Sequence, residues 1–233
     1  MTASPATLDI GALEREALSH LIASLADNKA ALGRRYGEWA VSAPTLESAV
    51  AAAAMAQDEL GHARATYPLL KQLRGDGEQL AGGENCMPVL SSELPSWPAF
   101  VAVNLVVDGM LTSFVRACED SAFVGLAQRA RKILQEERSH AVHARAWARR
   151  LARDESQRAP FAAAFGDCWQ QAARWTGPAD DPELASLTAG GFVAGGGDLL
   201  RASLRATIAD TDLAELELPE PLDWTGWNAA ERL

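Results

Sequence analysis

AQDELGHAR at residues 56–64 and QEERSHAVH at 135–143 each carry a Glu-x-x-His spacing, Glu59/His62 and Glu137/His140, deep inside long helix-like stretches. Residues i and i+3 share one face of an α-helix, so each pair can offer a carboxylate oxygen and an imidazole nitrogen to the same metal ion. Two such helices facing each other would build a dinuclear carboxylate site. The alternative is a pair of local helical His–Glu contacts, so the surrounding chain has to decide.

Working outward, alanine and leucine abound, aromatic residues are 6% of the chain, and the polar–apolar rhythm is helical through most of the first 175 residues, without an alternating strand series. The fold class is all-α, in a single domain over residues 1–233. A first helix is expected from about Asp9 to Val41, with Leu18, Ile22, Leu25, Lys29, Leu32, Tyr36 and Trp39 on one stripe. Ser42–Thr45 breaks it, and a second helix runs from Leu46 to about Leu73, ending at Gly75-Asp-Gly77. The Gly-, Pro- and Ser-rich stretch 75–98 reads as a long crossover, after which Pro98 sits in the first turn of a third helix reaching about Asp120. A turn at 121–124 leads to a fourth helix ending near Arg153. Further helices are expected at Pro160–Trp175 and Asp198–Ala209, joined by a turn-rich acidic link, TGPADDPE, and a short segment ending in three glycines at 195–197. The tail from Leu216 reads as an irregular strap. The core bundle thus occupies about 9–153, with C-terminal helices and tail over about 159–233.

This is the plan of ferritin-like four-helix bundles, in which two antiparallel hairpins joined by a crossover add one carboxylate from each of two helices to the two Glu-x-x-His pairs. Counting from the turns locates the additions. Asp108 and Glu137 lie equally far from the centre of the second turn, and Asp108 sits in VNLVVDGML, where an unpaired carboxylate would be costly to bury. In the first hairpin Glu59 lies fifteen residues after Pro44, and the residue fifteen before it is Lys29. Glu38, only six before Pro44, is offset by about 13 Å at 1.5 Å per residue. Asp27 is two residues from Lys29 and points to another face. The inward set is Lys29, Glu59, His62, Asp108, Glu137 and His140. Beside the ligands, Asp58 and Glu136 are read as outer-sphere or surface acids, His143 as an outer-sphere or surface group, and Tyr36 as a core aromatic.

The net charge of −10 argues against a phosphate-backbone partner, which needs clustered Lys and Arg. The most apolar stretch, AVAAAAMA at 49–56, is short of the roughly 20 residues that span a membrane, and the N-terminus lacks a secretory signal pattern. Cys86, Cys118 and Cys168 form no Cys-x-x-Cys pair and read as reduced thiols. The expectation is a cytoplasmic protein with neither nucleic-acid nor membrane partners.

With these residues in hand, the chain resembles the ferritin-like subunits of the bacterial phenylacetyl-CoA epoxidase (ring 1,2-monooxygenase) family. AQDELGHAR, VVDGM and QEERSH look like the motifs of its catalytic subunit, and GEWAVSAPTLE looks like a first turn shared with the non-catalytic sister subunit. The resemblance implies that Glu59, His62, Asp108, Glu137 and His140 are metal ligands, with iron as cofactor, one or two ions, or manganese. It implies a small organic or CoA-thioester substrate, a related ferritin-like subunit as partner, and a reductase. Where the catalytic subunit has its first-helix Glu, this chain has Lys29, the candidate catalytic residue. Its amine can be depressed in pKa and coordinate, can accompany loss of one metal, can replace the metal, or can be carbamylated. In the last-but-one case the chain would be a non-catalytic structural subunit.

Overall fold

A computed structural model describes residues 10–74, 85–209, 213, 216, 218–220 and 222–233. Seven α-helices are present among them and no strand: α1 Ala12–Trp39, α2 Leu46–Arg74, α3 Trp97–Ala117, α4 Val124–Arg153, α5 Arg158–Trp175, α6 Pro182–Ala189 and α7 Gly197–Ala209. The fold is the expected all-α helical bundle. Asp9, the Gly75-Asp-Gly77 stop and the first half of the crossover lie outside the described residues.

Local chemistry sets the boundaries. Thr45 Oγ1 accepts from Ser48 N at 3.2 Å and opens α2, and Ser96 Oγ accepts from Ala99 N to open α3 ahead of Pro98. In the stretch read as an acidic link, Asp181 accepts from Glu183 N, Pro182 takes the first helical position, and α6 begins. The link is therefore shorter than the sequence suggested.

Helix α1 packs along α2, α2 against α4, and α3 against α4 and α5. At Gly33 the α1–α2 approach is so close that a Cβ would lie 2.7 Å from Leu60 Cγ and 3.1 Å from the Ala56 carbonyl oxygen. Only glycine fits there, one turn from Lys29. The stripe on α1 is buried from Leu18 to Tyr36, with Trp39 half-buried at its end.

Helix α3 is long and apolar enough to cross a membrane by composition, yet 83% of that window is buried inside the bundle, as for a core helix. Its middle, Val103–Asp108, is one widened π-helical turn. Such turns concentrate at functional sites because they re-aim side chains without ending the helix.

The C-terminal residues fasten the outer helices as an irregular strap. Arg232 is fully buried; it pairs with Asp181 Oδ2 at 2.8 Å and donates to the carbonyls of Trp175 and Thr176. Arg201 donates to Thr176 Oγ1 and the Gly177 carbonyl, and its guanidinium lies 5.4 Å over Trp224.

Candidate metal centre

Four helices each send polar side chains into the core, and all of these side chains are at most 3% exposed: Lys29 from α1, Glu59 and His62 from α2, Asp108 from α3, and Glu137 and His140 from α4. Glu59, Asp108, Glu137 and His140 can each offer one atom such that all four lie within 4.8 Å of one another.

Lys29 is at the centre of the carboxylates. Its Nζ donates to Glu137 Oε1 at 2.5 Å, Asp108 Oδ1 at 2.7 Å and Glu59 Oε1 at 3.1 Å. Burial opposes its charge, but Asp108, Glu137 and Glu59 together outweigh burial and hold the ammonium well above its ordinary pKa. Burial also pushes Glu137 up, and here Lys29, His140 and His62 win, holding it well below the usual carboxylate range. Glu59 goes the other way, raised by burial and by Asp108 against the pull of Lys29.

The two imidazoles share one orientation. His62 turns Nδ1 inward, 3.4 Å from Glu137 Oε1, while its Nε2 is 2.9 Å from Glu136 Oε2. His140 turns Nδ1 inward, 3.1 Å from Asp108 Oδ2, while its Nε2 is 3.3 Å from Asp58 Oδ2. Each ring is thus tethered from outside by a carboxylate, the arrangement that fixes tautomer and aim in metal-binding histidines. Burial opposes protonation of both rings, yet the carboxylates facing Nδ1 raise His62 to about 9 and His140 well above its ordinary value.

Two further groups complete the site. Tyr36 Oη donates to Asp108 Oδ2 at 3.1 Å, and Asn104 Nδ2 donates to Tyr36 Oη at 3.2 Å. The sequence reading treated Tyr36 as packing and did not single out Asn104. His143 Nδ1 lies 3.2 Å from Asn104 Oδ1, one shell outside the cluster. The positions set aside by counting do stay out: Glu38 pairs with Arg35, and Asp27 accepts from Tyr67 Oη at 2.6 Å.

Over residues 1–231 the sequence matches the model of the phenylacetic acid catabolic protein family. The chain belongs to that family. No curated protein sequence matches it. For a member of this family, whose implied cofactor is iron, the donors can be tested against the ion. Glu59 Oε2 and His62 Nδ1 are buried without a hydrogen-bond partner, and such orphans call for an explanation. Carboxylate oxygens and imidazole nitrogens are the donor types that suit iron or manganese. The donor set fits a divalent ion, with three carboxylates where the ferritin-like di-metal plan has four and Lys29 in the remaining place.

Beside the cluster, between α3, α4 and α7, lies a cavity of about 70 Å³ touching Asp108, Glu137 and His140 and extending to Arg116 and Thr207. It is smaller than an ordinary ligand pocket, which starts near about 300 Å³.

Proposed function

We propose that this chain is a metal-dependent, ferritin-like oxidoreductase subunit with a mononuclear non-heme site. Iron, or manganese in its place, would be held by Glu59, His62, Asp108, Glu137 and His140. When bound, the metal supplies dioxygen activation for oxygen insertion into a small organic or CoA-thioester substrate, with electrons from a separate reductase and a related ferritin-like subunit as partner. The observation that carries this reading is the shared orientation of His62 and His140, each with Nε2 on an outer carboxylate and Nδ1 facing the cluster.

The residues of the chain divide the work. Glu136 and Asp58 hold the imidazoles in position. Tyr36 and Asn104 hold Asp108 Oδ2, leaving Oδ1 to Lys29. Lys29, the candidate catalytic residue, supplies one positive charge where a second ion would otherwise stand, and so limits the site to one metal.

Metal analysis of protein made in iron-replete medium tests this reading. It expects about one metal per chain, the stoichiometry left when one carboxylate is replaced by an amine, and near-complete loss in Glu59→Ala/Glu137→Ala. Absence of every transition metal after reconstitution would overturn it.

A second reading has its own observation, the three hydrogen bonds from Lys29 that close the cluster without any metal. Here the chain is a non-catalytic structural subunit of a multicomponent monooxygenase. Co-purification with a catalytic homologue, and activity of that complex unchanged in His62→Ala/His140→Ala, would favour it.

A further inference from the structure

An unbroken line of aromatic rings leads away from the cluster. Tyr36, whose hydroxyl donates to Asp108 Oδ2, packs its ring 5.2 Å from Phe100. Phe100 stacks on Trp97 at 4.5 Å and 10° between planes. Trp97 in turn meets Trp39 at 5.4 Å and Trp147 at 5.1 Å. Tyr36 and Phe100 are fully buried, Trp97 nearly so, and Trp39 and Trp147 are half-buried, so the line begins at the site and opens at the surface. Packing accounts for aromatic contacts in general. It does not require that phenol and indole, the rings most readily oxidised by one electron, be strung from a buried acid–histidine cluster to solvent.

We propose that Tyr36, Trp97 and Trp39 form a one-electron conduit that drains oxidising equivalents from the centre when no substrate consumes them. The proposal rests on the oxidoreductase reading for its oxidant, a species derived from dioxygen at the cluster. Tyr36 gives that oxidant one electron and passes its phenolic proton to Asp108 Oδ2, becoming a neutral tyrosyl radical. Trp97 then gives an electron to the tyrosyl radical, and the proton returns from Asp108. The Trp97 indole nitrogen is buried without an acceptor, so the hole stays there as a radical cation rather than being trapped by proton loss. The Tyr36–Trp97 step crosses the intervening Phe100 ring, which touches both, and the Trp97–Trp39 step is 5.4 Å; tunnelling falls off exponentially with distance, so this packing favours transfer. The Arg150 guanidinium lies 4.7 Å over Trp147 and disfavours positive charge on that ring, which makes Trp39 the exit. A dissolved thiolate supplies the last electron and leaves as a thiyl radical, and two such radicals, from two electrons drained, couple to one disulfide.

The test needs no metal. The chain has only two tyrosines, Tyr36 and Tyr67, so a tyrosyl radical in a Tyr67→Phe background belongs to Tyr36. Photogenerated tris(bipyridyl)ruthenium(III) is too large to reach a fully buried ring and oxidises surface-accessible indoles instead, so it drives the same relay in reverse, from the surface to Tyr36. Freeze-quenched paramagnetic resonance is expected to show a tyrosyl signal in Tyr67→Phe. The signal should be lost when Tyr36→Phe or Trp97→Phe is added, and kept with Trp224→Phe, a tryptophan off the line. An undiminished signal with Trp97→Phe, or none in Tyr67→Phe, overturns the conduit. If Trp97→Phe fails to fold, Trp39→Phe/Trp147→Phe decides by the same criterion. Because the metal-free chain suffices, failure here leaves the metal reading standing, and failure of the metal reading leaves this result interpretable.

Discussion

Lys29 Nζ and Asp108 Oδ1, from residues 79 positions apart in sequence, lie 2.7 Å apart, and neither side chain is more than 1% exposed. A charge this deep is sustained only by partners that repay its lost hydration. Here the account nearly closes: three carboxylates face one ammonium and two imidazoles that favour their protonated forms. A metal entering this cluster replaces protons rather than filling an empty charge.

On the mononuclear reading proposed above, Lys29 controls metal stoichiometry. Lys29→Glu restores a fourth carboxylate and should raise occupancy toward two ions per chain, the complement of the di-metal bundles. Lys29→Met removes the charge without adding a donor and should bind less metal than the Glu variant. Elemental analysis of both proteins checks the order, and equal occupancy in the two would refute it.

The same residue should matter to the metal-free fold. Lys29→Met leaves three buried carboxylates without their shared cation, and breaking a buried ion pair in this way costs about 3–5 kcal/mol. Urea unfolding of metal-free protein should show that loss, with most of it recovered when metal is added. A change within experimental error would mean that the carboxylates reprotonate or reach solvent without cost.

Much of this site was legible in the sequence because helix geometry turns counting into height. Glu59 and Lys29 flank Pro44 symmetrically, Asp108 and Glu137 flank the second turn, and all four meet in the structure. What counting cannot give is reach. Tyr36 lies on the same stripe as Lys29, but only the folded chain shows its hydroxyl on Asp108. The π-helical turn at Val103–Asp108 leaves no mark in composition, since VNLVVD reads equally well as ordinary core helix. Helix α6 did carry its start signal, Asp181-Pro182-Glu183, but that signal was absorbed into a run of turn-forming residues.

The outer carboxylates offer a test that leaves every ligand in place. Glu136 is tied to His62 Nε2, and Asp58 to His140 Nε2. Replacing such partners typically lowers metal affinity about 10–100-fold. Glu136→Ala and Asp58→Ala should each fall in that range by competition with a chelator, with the helical circular dichroism unchanged. Glu136→Gln, which keeps an acceptor, should lose less. Unaltered affinity in both alanine variants would show that Glu136 and Asp58 do not position the imidazoles for metal.

Acidity should pull stability and metal binding in opposite directions. The folded-state value of His62 is raised from 6.5 to about 9 by the carboxylates of Glu137 and Glu59, against burial. A raised histidine contributes stability that is fully present below its unfolded value and is lost as pH rises through its folded one. The contribution of His62 to the metal-free chain should therefore be complete below pH 6.5 and gone above about pH 9. Glu59, also raised, acts in the same direction from 4.5 upward, whereas Glu137, depressed, loses its contribution only as pH falls below 4.5. The contribution of Lys29 persists through this window because its pKa is raised above 10.5. Metal binding requires the protons on His62 and His140 to leave, so apparent affinity should climb over the range in which stability declines. Urea titrations of the metal-free chain and of His62→Gln isolate the first effect as a difference that shrinks with rising pH. Chelator competition measures the second. A difference that grows with pH, or an affinity that falls, would show that the imidazoles enter the folded state neutral and that the charge balance assigned to the cluster is wrong.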